Sequence, residues 1–378
     1  MASENPDLVR HALESPGGFA WWYLDLLDAT GNGLVVIWAL GLPFLPESRK
    51  EFAAVARPSV NVALYRSGRE ALYLLQEHPP EEFRGLSSDG AMRIGRSHFE
   101  VERSSAELTL RATLDEAAPD GLSRLRGSIE LRGRPPELAM AASGADHVWT
   151  PRLLHAAGHA SISLDGRTER ITGVGYFDGN ASFRPLHAQG IDSWRWARLW
   201  IGDRSFVVYD VAGRAATTKV FEGAADGSLR ELPVAPQFSA IRTSRYGIGS
   251  PRRMSFAFGS EQVSAEAVNL LEDGPFYQRH LLNATLRSRH PGQPERCTEQ
   301  RGVGIYEVVL PGRVDVPWQR PLLRMRTHRV GGSNSSWLPL FSGWSESRGR
   351  RLLTSVRERL LARGFPESAH DEGAGGER

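Results

Sequence analysis

The stretch Ser161-Ile162-Ser163-Leu164-Asp165-Gly166, with the run from Arg167 to Val174 that follows it, predicts a β-hairpin. Apolar and polar residues alternate before the turn, as in a half-buried strand. Asp165-Gly166 supplies a two-residue turn that tolerates positive φ, so the second strand runs back antiparallel to the first. The chain is expected to be organised around this hairpin and its two extensions, His147-Val148-Trp149-Thr150-Pro151 and Gly175-Tyr176-Phe177-Asp178-Gly179-Asn180.

Tyr176 and Asp178 stand two residues apart on the returning strand, so their side chains point to the same face. If that face lines an apolar cavity, burial raises the pKa of the carboxyl group and keeps it protonated. A protonated carboxyl in a dry site is what an acid that protonates carbon requires. The pair is therefore a candidate acid site.

Composition and charge limit the classes of protein. The 378 residues suit two domains, and 40% hydrophobic with 24% charged residues is ordinary for a soluble globular protein. The formal net charge is only +2, and lysine is confined to Lys50 and Lys219. Because the arginines are scattered among acidic residues, we expect no nucleic-acid partner.

Cysteine and histidine usage argues against a metal site. Cys297 is the only cysteine, which excludes an internal disulfide and a cysteine-cluster metal site. His155, His159 and His187 lie near His147 in sequence, but their spacing does not resemble a zinc site on strands. We therefore expect no metal.

Two segments bear on location. The opening residues from Met1 to Asp7 are polar and acidic, unlike a secretory signal. The longest apolar run, Leu34 to Leu45, is broken by Gly41 and Pro43 and is too short to span a bilayer. These features predict a cytoplasmic protein, either free or lying against a membrane surface.

Short strands with regular turn signals fill most of the sequence, which predicts an all-β fold of antiparallel barrels or sandwiches. We expect a first domain over residues 19–187, a second over 188–340, and an N-terminal arm over 1–18. Residues 341–378 are expected to form a C-terminal helix and a disordered tail. The helix is indicated by apolar residues at helical spacing among arginines, namely Leu352, Leu353, Val356, Leu360 and Leu361.

Several motifs together resemble the carotenoid 1,2-hydratase (hydroxyneurosporene synthase) family. Phe19-Ala20-Trp21-Trp22-Tyr23-Leu24-Asp25 resembles its opening motif, and the residues from Gly175 to Ala181 resemble its signature motif. The segment from His147 to Pro151 is similar to the family element that precedes the signature. Further landmarks follow in the family's order: Pro185-Leu186, Trp194-Arg195-Trp196-Ala197-Arg198, Tyr209-Asp210-Val211 and the residues from Leu271 to Tyr277.

The resemblance implies two lipocalin-like β-domains with a hydrophobic cavity, a fold shared with some Diels–Alderases and terpene cyclases. It implies addition of water across the terminal double bond of an acyclic carotenoid, without a cofactor. The family's functional residues fall on four positions of this sequence: His147, Trp149, Tyr176 and Asp178.

These residue types suit that chemistry. We expect Asp178 to donate the proton, and the rings of Trp149 and Tyr176 to stabilise the tertiary carbocation that results. Water would be held by His147 or Asn180, or His147 would support the acid. The hydrophobic isoprenoid substrate is expected to be bound by six residues, namely Trp21, Trp22, Tyr23, Trp38, Asn180 and Trp196. Trp21, Trp22 and Trp38 would also be typical of a buried core.

Four residues depart from the family pattern, namely Ser182, Phe183, Arg184 and His187. Such changes would alter the polarity of the pocket and could admit a different polyprenyl chain. Two alternatives to hydration follow: a terpenoid or meroterpenoid cyclase that uses the same acid, and a lipocalin-like carrier that only binds its ligand. The sequence leaves open the oligomeric state, contact with a membrane, and the choice among these functions.

Overall fold

A computed structural model describes residues 12–41, 54–85, 91–104, 106–119, 123–136, 147–214, 216–290 and 293–348 of the chain. The predicted all-β architecture is confirmed, because two antiparallel sheets, each curled into a half-barrel, account for most of these residues. Among the described residues, no helix is both long and apolar enough to cross a membrane.

The first sheet contains the hairpin and the aromatic opening of the chain at its centre. Its strands run in the order β21-β4-β3-β2-β1-β11-β10-β9-β8-β7-β6-β5, with β22 also paired to β4. The bounds are β1 Phe19–Leu27, β2 Gly33–Leu40, β3 Pro58–Arg66, β4 Arg69–Glu77, β5 Phe83–Arg84, β6 Met92–Ile94, β7 Ser97–Arg103, β8 Leu108–Ala117, β9 Arg124–Gly133, β10 His147–Leu164, β11 Arg167–Ser182, β21 His328–Arg329 and β22 Gly343–Trp344.

The second sheet is built from the following part of the chain, in the order β15-β14-β13-β12-β20-β19-β18-β17-β16. Its central strands are β12 and β20, which are the first and the last strand of this sheet in the sequence and pair with each other. The bounds are β12 Ile191–Ile201, β13 Arg204–Gly213, β14 Thr217–Ala224, β15 Leu229–Leu232, β16 Gln237–Thr243, β17 Gly249–Phe258, β18 Glu261–Asp273, β19 Tyr277–His290 and β20 Gln293–Val309.

The predicted hairpin is confirmed as β10 and β11. Asp165 and Gly166 form its turn with φ values of 55° and 74°, as a two-residue turn of this type requires. Two irregularities in the pairing, between Pro151 and Ala156, bend β10 near the end that carries Trp149.

Strand β1 is buried along its whole length because each of its faces packs against a different layer. Trp22, Leu24 and Leu26 belong to the hydrophobic core inside the first sheet. Trp21 and Tyr23 belong instead to a second cluster, which contains residues of both sheets. A strand covered on both faces lacks the apolar–polar alternation that would distinguish one face from the other in the sequence.

Short helices lie in some of the connections and near the end of the described chain. Short 3₁₀ helices lie at Ala54–Ala56, Pro80–Glu82, Leu186–Ala188, Pro311–Asp315, Leu338–Leu340 and Ser345–Ser347, and an α-helix at Arg320–Arg324. Through β21 and β22 the chain returns from the second sheet to β4 of the first. The domain boundaries after residues 187 and 340 stay a prediction. The C-terminal helix and tail lie, beyond residue 348, outside the described residues.

Candidate active site

Alternation along β11 brings Tyr176, Asp178 and Asn180 to the face that looks toward the second sheet. The neighbouring strands add side chains to the same face, because Tyr23 of β1 pairs directly with Asp178 and Trp149 of β10 pairs directly with Asn180. All five residues are buried, with at most 6% of their surface exposed. The motif residues from three adjacent strands therefore meet at one place.

The carboxyl group of Asp178 is held by three donors. Its Oδ2 accepts hydrogen bonds from the Tyr176 hydroxyl at 2.6 Å and from Trp149 Nε1 at 2.8 Å. Its Oδ1 accepts one from Asn180 Nδ2 at 3.0 Å. A carboxylate offers about four acceptor positions. The fourth, on Oδ1, is left for a proton.

Burial sets the protonation state of this group. Loss of solvation raises the pKa of Asp178 to about 7, although the hydrogen bonds from Tyr176 and Trp149 act in the opposite direction. Burial also raises the pKa of the Tyr176 phenol well above its ordinary value, so the phenol remains a donor. Asp178 is thus poised to give and regain a proton near neutral pH.

His147 lies behind this group. Its Nε2 is 3.2 Å from Asn180 Oδ1, and its Nδ1 is 3.0 Å from the Tyr209 hydroxyl. Burial lowers the pKa of His147 to about 4, so the ring is neutral. Since Asn180 donates to Asp178, its oxygen faces His147, which places the ring proton on Nε2. Both ring nitrogens are thereby engaged, and His147 is placed to support Asn180.

Asp178 opens into a cavity of about 170 Å³ between the two sheets. Trp196 of the second sheet lies across from the acid, with its ring 5.2 Å from that of Tyr23 and 5.5 Å from that of Tyr176. Further lining comes from Leu322 and Leu323 of the short α-helix. Aromatic faces around a buried acid provide a surface that attracts a carbocation.

Charged side chains, most of them on strands of the second sheet, also lie at the cavity. Arg279 donates from Nη1 to Glu272 and from Nε to Glu307 Oε1, the latter at 2.8 Å. The Tyr65 hydroxyl donates to Glu272 at 2.5 Å. Arg326 lies 3.8 Å from the second oxygen of Glu272. All of these groups except Tyr65 line the cavity, so its lining is charged as well as aromatic.

A buried ion pair joins the two sheets beneath the site. Arg198 Nη1 of β12 donates to Asp25 Oδ1 of β1 at 2.6 Å, and neither side chain is exposed. Burial raises the pKa of Asp25 to about 6, against the opposing effect of Arg198. The guanidinium also lies 5.9 Å from the centre of the Tyr176 ring. The pair fixes the strand that carries Tyr23 against the second sheet.

The structure brings most of the predicted site residues together, but separates two of them. Trp149, Asp178, Asn180, Trp21, Tyr23 and Trp196 line the cavity, while Tyr176 and His147 contact its lining. Trp22 and Trp38 were expected to bind substrate and instead pack against Phe99, at 6.0 Å and 5.1 Å, in the core of the first sheet. The reason is strand alternation, which points both rings away from the cavity.

The four departures from the family pattern lie away from the cavity wall. Ser182 ends β11 and its hydroxyl contacts Arg184 and Gln189, whereas Phe183 packs against the core of the first sheet. His187 lies in the 3₁₀ helix that follows. The expectation that they change the polarity of the pocket is therefore not supported by their placement.

The charged residues that line the cavity were not predicted from the sequence. Glu272 lies on β18, within the landmark stretch from Leu271 to Tyr277, and no local signal marked it, Arg279, Glu307 or Arg326 as cavity residues. Trp194, which also lines the cavity, could have been found from its spacing of two from Trp196 on the same strand. Within the described residues, no group of three or more histidine, cysteine, aspartate or glutamate side chains is arranged to hold a metal ion.

A family model and two relatives connect this chain with carotenoid hydratases, and a solved structure shares its fold. The model of the family "Carotenoid hydratase CrtC" matches residues 44–335. An acyclic carotenoid 1,2-hydratase of Thiocapsa roseopersicina is 28% identical over 84% of this chain and 75% of its own length, and that of Rubrivivax gelatinosus is 26% identical over 81% and 74%. The crystal structure of a protein of Nitrosomonas europaea assigned as AttH superposes with a TM-score of 0.56 at 15% identity, over 82% of this chain and 97% of that one, which shows a shared fold.

Proposed function

The chain belongs to the carotenoid hydratase CrtC family, and we propose that it is a hydro-lyase that adds water to the terminal double bond of an acyclic carotenoid or related isoprenoid. The product is a tertiary alcohol. The observation that carries the proposal is Asp178, a carboxyl group with a pKa raised to about 7 by burial, which faces an aromatic cavity. Two relatives named as acyclic carotenoid 1,2-hydratases support the substrate class.

The first step is protonation of carbon by Asp178. An isolated alkene is a weak base, so the acid must stay protonated and dry until the alkene reaches it. The proton adds to the less substituted alkene carbon and leaves a positive charge on the tertiary carbon. The rings of Trp149 and Trp196, which line the cavity, and of Tyr176, which contacts Trp196, would stabilise this charge by about 2 kcal/mol each when desolvated.

The surrounding hydrogen bonds prepare Asp178 for this role. Tyr176 and Trp149 stabilise the carboxylate that remains after proton transfer, because both donate to Oδ2. Asn180, held by the neutral His147, orients Oδ1. Addition of water changes no oxidation state overall, so this reaction requires no redox cofactor.

The experiment is incubation of the purified protein with neurosporene or lycopene in detergent, in isotopically labelled water. We expect a tertiary alcohol that carries both the oxygen label and one solvent deuterium. Deuterium gained in a cyclised or isomerised product without oxygen would show a cyclase or isomerase instead. Tight binding of the carotenoid with no label in any product would show a carrier, and would refute the hydratase.

A further inference from the structure

In the part of the chain that the structure describes, one hydroxyl of the cavity has no hydrogen-bond partner, and one carboxylate has a partner on only one of its oxygens. The Tyr23 hydroxyl is buried and accepts or donates no hydrogen bond, although the residue lines the cavity and is 5% exposed. Glu307 accepts one hydrogen bond, from Arg279 to Oε1, and its Oε2 has no donor among the described residues. A buried hydroxyl without a partner, such as that of Tyr23, indicates a bound water or ligand.

These two groups lie across the cavity from each other and close to the acid. Tyr23 pairs directly with Asp178 on the first sheet. The Tyr23 ring contacts Trp196, and Trp196 pairs directly with Glu307 on the second sheet. The charge of Glu307 acts on both neighbours, since, after burial, it raises the pKa of Tyr23 and contributes to the raised pKa of Asp178.

Hydration of an alkene needs a second proton transfer in addition to the one from Asp178, because the water that attacks the cation must lose a proton. We propose that Glu307 and the Tyr23 hydroxyl bind the attacking water, and that Glu307 accepts its proton. This inference rests on the proposed hydratase function. It assigns to the cavity a carboxylic acid, Asp178, from the first sheet and a carboxylate base, Glu307, from the second.

The other polar groups of the site are already engaged. Both nitrogens of His147 and both ends of the Asn180 amide have protein partners. Glu272 accepts hydrogen bonds from Tyr65 and Arg279 on Oε1, and a second cation, Arg326, lies 3.8 Å from its Oε2. Apart from Asp178, Glu307 is therefore the cavity carboxylate with an oxygen that faces neither a donor nor a cation among the described residues.

The Asp178 proton forms a C–H bond with the alkene carbon, and the π electrons of the double bond supply the electron pair. Water, with its oxygen receiving a hydrogen bond from Tyr23, uses a lone pair to form the C–O bond. One water proton passes to Glu307 Oε2. Exchange with solvent then returns a proton to Asp178 and removes one from Glu307, so the net change is addition of one water.

The test compares Glu307→Gln with the wild-type protein in labelled water. We expect the rate of alcohol formation to fall by about a hundredfold, the range of general-base catalysis. Protonation by Asp178 continues, so the cation returns to alkene, and the recovered carotenoid gains deuterium without oxygen. A rate within about twofold of wild type, or loss of deuterium and oxygen incorporation together, would overturn the assignment.

Two further variants keep the test decisive. Tyr23→Phe removes a hydroxyl that has no protein partner, so folding is retained, and the same shift from alcohol toward deuterium exchange is expected. Glu222→Gln is the matched control: its carboxylate lies on the same sheet, pairs with Arg204 and Arg230, and is 11% exposed against 14% for Glu307. The control should leave the ratio of the two labels unchanged.

The outcomes separate the two proposals. A wild-type protein that incorporates no oxygen label refutes the hydratase itself. A wild-type protein that hydrates the carotenoid, with Glu307→Gln and Tyr23→Phe indistinguishable from it, refutes only the water site.

Discussion

Removing the hydroxyl of Tyr176 should move the pH dependence of the reaction to higher pH. In Tyr176→Phe the ring remains, but the 2.6 Å hydrogen bond to Asp178 Oδ2 is lost. That bond favours the carboxylate, so its loss raises the pKa of Asp178 above about 7. Because the proposed reaction uses the protonated acid, we expect activity below this pKa and its loss above it.

The size of the shift follows from the strength of the bond. A hydrogen bond to a charged group contributes about 1.5–3 kcal/mol, and one pKa unit corresponds to about 1.4 kcal/mol, so a shift of about one to two units is expected. The lower end applies if Trp149 Nε1, which is shared between Asp178 and the Tyr176 hydroxyl, turns fully to the carboxylate.

The assay is the initial rate of alcohol formation between about pH 5 and pH 10, with the basic limb fitted to one ionisation. Tyr306→Phe is the control, since that hydroxyl is also buried, lacks a partner among the described residues and lies in the core of the second sheet. A basic limb for Tyr176→Phe that stays in place or moves to lower pH would refute the reasoning.

Three other changes test separate parts of the structure. Asp25→Asn leaves the Arg198 guanidinium buried without its counter-charge and should lower the free energy of unfolding by about 3 kcal/mol in denaturant titrations; a loss under about 1 kcal/mol would contradict the burial of this pair. The pKa of His78 is raised, with burial opposing and two glutamates favouring the charged ring, so its stabilisation should be present below its unfolded pKa of about 6.5 and vanish as the pH rises through its higher folded pKa. The thermal unfolding temperatures of the wild-type protein and of His78→Gln should therefore converge at high pH. A difference that stays constant with pH would contradict a stabilising role of the charged His78 ring. Trp196→Leu should lower kcat by about thirtyfold, for a loss of about 2 kcal/mol of cation stabilisation, whereas Trp22→Phe should lower stability with kcat within about twofold; equal effects of the two on kcat would disprove the separation of their faces.

The hairpin and the acid motif could be predicted because their signals are local. Alternation from Ser161 to Leu164 and the Asp165-Gly166 turn determine the antiparallel pairing of β10 and β11. The spacing of Tyr176 and Asp178 then places both side chains on one face without knowledge of the rest of the fold.

The two faces of β1 could not be separated from the sequence. Trp21, Trp22 and Tyr23 are consecutive aromatic residues on a strand that is buried on both sides, and neither face is polar. Only the packing of the second sheet shows that Trp21 and Tyr23 face the cavity and Trp22 does not.

The charged residues of the cavity could not be predicted from the sequence for a different reason. Tyr65 and Glu272, which are hydrogen-bonded, are separated by 207 positions in the chain. Glu272 and Arg279 lie on strands whose pairing contains two register shifts. Such contacts arise from the curvature of a sheet, which no short sequence pattern records.

The central claim is that Asp178 delivers a solvent proton to the alkene. The most direct measurement is a single turnover of an acyclic carotenoid in deuterium oxide by the wild-type protein and by Asp178→Asn, with carotenoid binding followed separately by quenching of tryptophan fluorescence. We expect the wild-type product to carry one deuterium beside the new hydroxyl group, and Asp178→Asn to bind the carotenoid with similar affinity and incorporate none. Deuterium incorporation by Asp178→Asn at the wild-type rate would contradict the claim.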